Sequence, residues 1–194
     1  MNLERVTPGR GIPNDVNVII EIPMNADPVK YEVDKATGLL KLDRPQRYSS
    51  LPPCLYGFIP RTYCGAAIAL RTGRQGIVGD GDPLDVCVLT EKPIQHGDIL
   101  VAVVPICGLR MIDGNQADDK IIAVLKDDSV YGDWRALADV PQTQLDRLRH
   151  YFLTYKQMPD VAHGPVEIAE IYDRDEALAT IRSSFEDYAT LISE

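Results

Sequence analysis

The stretch Asp80-Gly81-Asp82-Pro83-Leu84-Asp85-Val86 constrains this chain more than any other. It places three carboxylates within six residues, and an apolar run (Val86, Val88, Leu89) follows at once. Like charges this close repel, and removing them from water makes the repulsion worse. Gly81 permits a tight turn, and Pro83 fixes φ and withdraws an amide donor. The backbone is therefore shaped to aim acids at one point. Hard divalent cations such as Mg²⁺ or Ca²⁺ are the natural counterions, because they take oxygen ligands. A bare Asp-Gly-Asp is usually a solvated turn. A third acid at the mouth of an apolar strand tips the reading toward metal.

One calcium motif is excluded directly. Asp80, Asp82 and Glu91 fall at positions one, three and twelve of an EF-hand loop. Position five would then be Leu84, and position six, where that loop needs glycine, is Asp85. The residues after Asp85 also read as strand rather than helix.

The length of 194 residues suits one domain with a sizeable core, here taken as 1–194. The 29 acidic residues against 20 basic ones give a net charge of −9, which opposes non-specific nucleic-acid binding. Cys54, Cys64, Cys87 and Cys107 form no C-x-x-C pair, so zinc is not expected. Cys87 and Cys107 read as buried small hydrophobes in a reduced compartment. The first eleven residues lack an apolar signal region, and no stretch approaches a membrane span. The expected address is cytoplasmic, with no membrane partner.

Alternation predicts a strand over 16–22, with Val16, Val18, Ile20 and Ile22 on one face and Asn17, Ile19 and Glu21 on the other. Further strands are expected at 30–33, 39–42, 54–59, 85–90, 99–109, 120–125 and 166–171. Pro105 marks a bulge or edge in the long run. Residues 62–79 read as an inserted hairpin or loop. Its apolar centre, 66–70, is expected to pack on the fold or a neighbouring subunit, and Arg71 and Arg74 to sit on an exposed tip. Leu145, Leu148, Phe152 and Tyr155 recur at helical spacing from Pro141. Asp173 with Glu176 resembles a capping box before a C-terminal helix carrying Leu178, Ile181, Phe185, Tyr188 and Ile192. Strands first and helices late predict an α+β fold, an OB-like antiparallel β-barrel with two helices packed at its side.

Polar residues interrupt these elements in a pattern. Glu21 lies on the first strand. Lys30 and Glu32, two apart, share a face about 6–7 Å from each other. Arg44 follows the third strand. Asp113, Asp118, Asp119 and Lys120 cluster at a turn, and Tyr155-Lys156 closes the first helix. Each alone has a plain explanation: a weak surface pair, a surface arginine, a core tyrosine. Together they supply acids for several divalent ions and cations for phosphate oxygens, which is the equipment of metal-assisted phosphoryl transfer to water.

The residues resemble those of the soluble family I inorganic pyrophosphatases. The run 80–86 fits that family's D-[SGDN]-D-P-[ILVMF]-D-[LIVMA] pattern at every position, a very specific signal. The similarity extends through Ile20-Glu21-Ile22-Pro23, Lys30-Tyr31-Glu32, Asp43-Arg44, Tyr56-Gly57, Asp113 to Lys120 and Tyr155-Lys156. It spans nearly the whole chain, and the length resembles the shorter bacterial type. The resemblance implies hydrolysis of pyrophosphate to two phosphates by metal-activated water, with several Mg²⁺ per site and Mn²⁺ as a substitute. It implies that Asp80, Asp85 and Asp118 hold an activating metal pair, that Asp113 and Glu21 help hold metals arriving with substrate, and that Asp82 is the base. Lys30, Arg44, Lys120, Tyr155 and Lys156 would bind phosphate oxygens. Tyr56 would be a ligand or wall, and Glu32 would orient water. It also implies a homo-oligomer, a hexamer, with the helix 141–157 and His150 as candidate interface.

The chain departs from the family in three places. Pro52-Pro53 stands where Tyr-Pro is common, Leu55 stands where Asn is common, and 62–79 is longer than usual. A phosphate-side hydroxyl is thereby missing or supplied elsewhere, with Tyr48 the candidate. Two rival readings each explain part of the pattern. A non-enzymatic divalent-metal-binding β-barrel module explains the acids but not Lys30, Arg44, Lys120 and Lys156. An oligonucleotide-binding barrel explains the strands but not the acidity or the scarcity of aromatics.

Overall fold

The computed structural model describes residues 5–24, 29–45, 50–156 and 164–193. Strand β1 (Val16–Ile22) pairs antiparallel with β4 (Leu55–Phe58) on one side and with β7 (Ile99–Asp113) on the other. From β4 the order continues through β6 (Asp85–Leu89) and β9 (Lys120–Leu125) to β7, so the path of hydrogen-bonded neighbours returns to β1. Strand β10 (Val166–Asp173) pairs with β7 outside this circuit, and the two-residue strands β5 (Val78–Gly79) and β8 (Gln116–Ala117) extend the sheet. Strands β2 (Val29–Val33) and β3 (Leu40–Pro45) form a separate ribbon.

Strand β9 shows how the core is divided. Its residues are apolar without alternation after Lys120, and Ile121 to Val124 are fully buried. Ile121 and Ala123 join Val18, Ile20, Val86 and Val103 in one cluster, while Ile122 and Val124 join Cys87, Ile106 and Leu109 in another. A strand buried on both faces reads as a continuous apolar run, and β9 accordingly pairs parallel to β6.

The helices divide between these two clusters. Helix α2 (Gln142–Thr154) lays Leu145, Leu148 and Phe152 on the second. Helix α3 (Arg174–Leu191) sends Ala177 and Ile181 into the first. The structure is thus α+β, a strand-rich sheet with three α-helices among the described residues. The expected antiparallel barrel with two helices at one side is corrected on three points. The β6–β9 and β5–β8 pairs are parallel, α2 and α3 serve different clusters, and a third helix exists.

That third helix, α1 (Ala66–Arg71), lies where a hairpin or loop was expected. Its first amides have no intrahelical acceptor, and Asp187 of α3 accepts three from this segment: Gly65 (2.8 Å), Ala67 (2.8 Å) and Ile68 (3.1 Å). A capping carboxylate 120 residues away in sequence is invisible to local pattern reading. Ile68 is buried as expected, but Leu70 is 80% exposed, because one helical face cannot bury both.

Other local readings also meet tertiary competition. The bulge expected at Pro105 appears as a register shift between Pro105 and Cys107. Asp173 caps α3, accepting from the Arg174 amide at 2.7 Å, but Glu176 does not close a capping box. It turns instead to Arg71 and Arg110. The face of β1 carrying Asn17, Ile19 and Glu21 is not a solvent face throughout. Ile19 packs with Val33 and Phe58 under the β2–β3 ribbon, and Glu21 is 8% exposed. The approach of β4 to β1 requires Gly57, where an added Cβ would lie 1.9 Å from the Ile19 carbonyl oxygen.

Candidate active site

Parallel pairing sets the site's floor. Asp85 and Lys120 are register partners at the first residues of β6 and β9, so both side chains enter from one end of the sheet. The C-terminal end of β7 brings Asp113 to the same end, and the turn before β6 brings Asp80 and Asp82. Gly81 makes that turn with φ +79°, in the left-handed region that glycine enters without strain. The Asp82 amide donates to Asp80 Oδ1 at 3.0 Å, which fixes the turn. The end of α2 adds Tyr155 and Lys156, and β1 and β2 add Glu21, Lys30 and Glu32.

These residues line a cleft of about 550 Å³. Among the described residues, it contains every one named above as a metal, catalytic or phosphate-binding candidate except Arg44. Arg44 sits opposite Lys30 in the β2–β3 ladder, is partly exposed, and donates to its neighbour Asp43 at 3.0 Å. Tyr48 lies outside the described residues. Asp119 was grouped with Asp118 and Lys120, and the structure separates it. Successive side chains on extended backbone point oppositely, so Asp119 turns away, toward Arg110 and Tyr172.

Lys120 is the centre of the floor. It is 2% exposed, and its ammonium bonds both Asp85 and Asp118. Burial opposes its charge, but the two carboxylates outweigh burial and hold its pKa well above the ordinary lysine value. Burial also raises Asp118, yet Lys120 more than compensates and its pKa is lowered. Asp85, which also accepts from the Tyr56 hydroxyl at 2.5 Å, ends up raised, because burial and the Asp118 charge outweigh Lys120. Burial pushes Tyr56 well above its usual value, so it remains a neutral donor.

The walls are less enclosed. Lys156 bonds Asp113 at 2.5 Å. Lys30 bonds Glu32 and stands 3.5 Å from Asp43. Glu21 accepts from the Val33 amide at 2.7 Å, and burial pushes its carboxyl up to about 7. Burial likewise pushes Asp80 up to about 8, against the Asp82 amide and Lys120. Asp82 stands at the mouth with its side chain 65% exposed, paired with Lys35 at 2.7 Å.

Sequence reasoning missed part of this mouth. Asp34, Lys35 and Lys41 line the cleft, and all belong to the β2–β3 ribbon. The one usable signal was connectivity: a ribbon that delivers Lys30 and Glu32 also delivers its own turn.

Among the described residues, no three His, Cys, Asp or Glu side chains stand grouped closely enough to hold an ion as placed. Lysines stand between the acids instead. The chemistry of the set nevertheless fits a hard cation. Eight acids (Glu21, Glu32, Asp34, Asp80, Asp82, Asp85, Asp113, Asp118) line the cleft against five lysines (Lys30, Lys35, Lys41, Lys120, Lys156), and the donors are oxygens. Asp80 and Glu21 are desolvated acids whose raised pKa values an arriving cation would relieve.

The profile of the inorganic pyrophosphatase family matches residues 18–189. The chain belongs to the inorganic pyrophosphatase family. It is similar to the inorganic pyrophosphatase of Chlamydia caviae, 54% identical over 170 residues that cover 84% of this chain and 79% of the relative. The inorganic pyrophosphatase of Ralstonia nicotianae is 41% identical over 160 residues, 81% of this chain and 83% of the relative. Among solved structures, the inorganic pyrophosphatase of Thermus thermophilus superposes with a TM-score of 0.84 at 31% identity, covering 97% of this chain and 99% of that one. The pyrophosphatase of Coxiella burnetii superposes at 0.80 with 35% identity, covering 94% and 99%. Membership in this enzyme family disfavours the non-enzymatic metal-binding module. Among the described residues no helix is long and apolar enough to cross a membrane.

Proposed function

We propose that this pyrophosphatase hydrolyses inorganic pyrophosphate to two phosphates in the 80–120 cleft, with water activated by Mg²⁺. The observation that carries the reading is the excess of acids over lysines, Asp80 and Glu21 among them desolvated, in a cleft that also holds cations and a tyrosine for phosphate oxygens. Asp80, Asp85 and Asp118 would hold the activating ions, and Asp113 and Glu21 those that accompany the substrate. Bound there, such ions would lower the pKa of coordinated water and neutralise charge on the phosphate oxygens.

The chain's own residues do the rest. Asp82, at the mouth and free to exchange Lys35 for another partner, orients the attacking water and takes its proton. Lys30, Lys120, Tyr155 and Lys156 bind phosphate oxygens and stabilise charge on the departing phosphate. Tyr56 fixes the orientation of Asp85 through its hydroxyl, and Glu32 orients solvent near Lys30. Arg44 joins the phosphate-binding set only if the β2–β3 ribbon turns it inward. Catalysis of this kind rests on positioning and electrostatics, without a covalent intermediate.

The same reading takes the β1-β4-β6-β9-β7 circuit as an OB-like barrel, the chain as one domain, and the address as cytoplasmic. Mn²⁺ would substitute for Mg²⁺. A homo-oligomer, a hexamer, is expected, with the helix 141–157 and His150 at its interface. The direct test is phosphate release from pyrophosphate with and without Mg²⁺. Release is expected only with metal, and equal release in excess chelator would contradict the proposal.

A further inference from the structure

Behind the cleft floor lies a second cluster of charges. Arg110 of β7 is 6% exposed and Asp119, just before β9, is 2% exposed. Arg110 Nη2 lies 3.4 Å from Asp119 Oδ2 and 2.7 Å from Glu176 of α3, and Nη1 lies 3.2 Å from Glu170 of β10. The guanidinium also stacks 4.9 Å over the Tyr172 ring, whose hydroxyl donates to Asp119 at 3.1 Å. Gly108 makes room for that ring, since an added Cβ would lie 2.3 Å from it. Glu176 in turn accepts from Arg71 of α1 at 2.6 Å.

Asp119 is the hinge of this arrangement. It sits between Asp118 and Lys120, both of which line the cleft, and its own side chain points the other way. On extended backbone the two flanking side chains share a face, and the middle one sets its tilt. The Asp118 amide is tied to the Met111 carbonyl at 3.0 Å, and Lys120 is in register with Leu109. The backbone is thus tied to β7 on both sides of Asp119, whose own side chain is held from behind by Arg110 and Tyr172.

We infer that Arg110 and Asp119 are positioning residues that aim Asp118 and Lys120 into the cleft. Arg71 and Glu176 extend that grip to α1. The inference rests on the roles proposed above for Asp118 and Lys120. Neither Arg110 nor Asp119 lines the cleft, so their effect is exerted through their neighbours. Supporting residues behind a metal site typically alter metal affinity or activity by about 10–100-fold.

The test uses the full chain and reads Mg²⁺ half-saturation of pyrophosphate hydrolysis beside thermal stability. Asp119→Asn keeps an acceptor for Tyr172 and Arg110 but removes the charge. Arg110→Met with Asp119→Leu removes both buried charges at similar volume, an exchange that folds generally tolerate. Asp118→Asn is measured in parallel. In the double variant we expect a folded protein whose Mg²⁺ half-saturation rises, or whose kcat falls, by about 10–100-fold. Asp119→Asn should move the same quantities in the same direction by less. A folded double variant with unaltered kcat and Mg²⁺ dependence overturns the inference. So does a double variant that cannot fold, because the pair would then be structural support. If Asp118→Asn itself leaves Mg²⁺ dependence unaltered, the assignment of Asp118 as a metal ligand fails, a result distinct from either of these.

Discussion

Two charge clusters stand back to back across the Asp118-Asp119-Lys120 segment, and they are built differently. The rear cluster sets Arg110 and Arg71 among Asp119, Glu170 and Glu176. The front cluster, the cleft, holds acids in excess of lysines, and among the described residues it is lined by lysines without a single arginine. A guanidinium is a rigid fork that fixes geometry, whereas an ammonium is a point charge on a flexible stem. The rear cluster is thus suited to hold shape. The front one can exchange partners, Lys35 on Asp82 being the most exposed example. The contrast teaches that function sits where electrostatics are unfinished. Asp80 and Glu21 are pushed up to about 8 and about 7 by burial.

The largest expected effect breaks the front cluster alone. Asp82→Asn should cut kcat by about 10²–10⁴-fold, the range of a general base, with Mg²⁺ affinity and thermal stability nearly unaltered. Steady-state kinetics with calorimetric Mg²⁺ titration measures both. Near-normal turnover at saturating Mg²⁺ would remove Asp82 from its proposed role.

Breaking the rear cluster should add a cost in stability that Asp82→Asn lacks. Arg110→Ala leaves Asp119 buried without its partner, a loss of about 3–5 kcal/mol in folding stability. Urea denaturation tests it. A loss below about 1 kcal/mol would mean that the cluster is solvated in solution.

A smaller effect sharpens the claim that burial keeps two acids of the cleft protonated. The folded pKa values of Asp80 and Glu21 are raised, so both carboxyls hold protons below about 8 and about 7. Mg²⁺ binds only the ionised forms, so binding near pH 6 should release up to about two protons per chain from these groups. The release should shrink as pH rises through 8, and apparent Mg²⁺ affinity should climb over the same window. Calorimetry in buffers of different ionisation enthalpy reads the number. Release that stays constant from pH 6 to 9 would contradict the desolvated state of these acids.

The smallest effect concerns the rim of the rear cluster. Arg71 binds Glu176 and Ser183, and Arg74 binds Glu167; neither lines the cleft. Arg71→Ala with Arg74→Ala should leave the KM for pyrophosphate within about a few-fold, because both side chains find their partners outside the cleft. A large rise in KM would place this segment at the substrate.

How far the sequence disclosed this molecule depends on the range of the interaction involved. The front cluster was legible because its residues sit at strand ends with local signatures. Asp80 to Asp85 forms one turn, Lys30 and Glu32 alternate on one strand, and Tyr155-Lys156 closes one amphipathic helix. The boundaries of β1 followed from alternation for the same reason. What stayed hidden depended on partners distant in the chain. Asp187 caps α1 from 120 residues away, and without it 66–71 reads as loop. Asp119 reads as one more acid beside Asp118 until β10 and α3 surround it. Glu176 reads as a capping-box partner until two arginines claim it. Leu70 reads as core until the helical period turns it to solvent.

The central claim is that this cleft works with more metal than the substrate carries. It is tested most directly by the rate of pyrophosphate hydrolysis as free Mg²⁺ is titrated at a fixed concentration of the magnesium–pyrophosphate complex. Five acids, Asp80, Asp85, Asp113, Asp118 and Glu21, exceed the needs of one cation, so the rate should rise with free Mg²⁺ and then saturate. A rate that depends on the complex alone, flat across free Mg²⁺, would contradict the account.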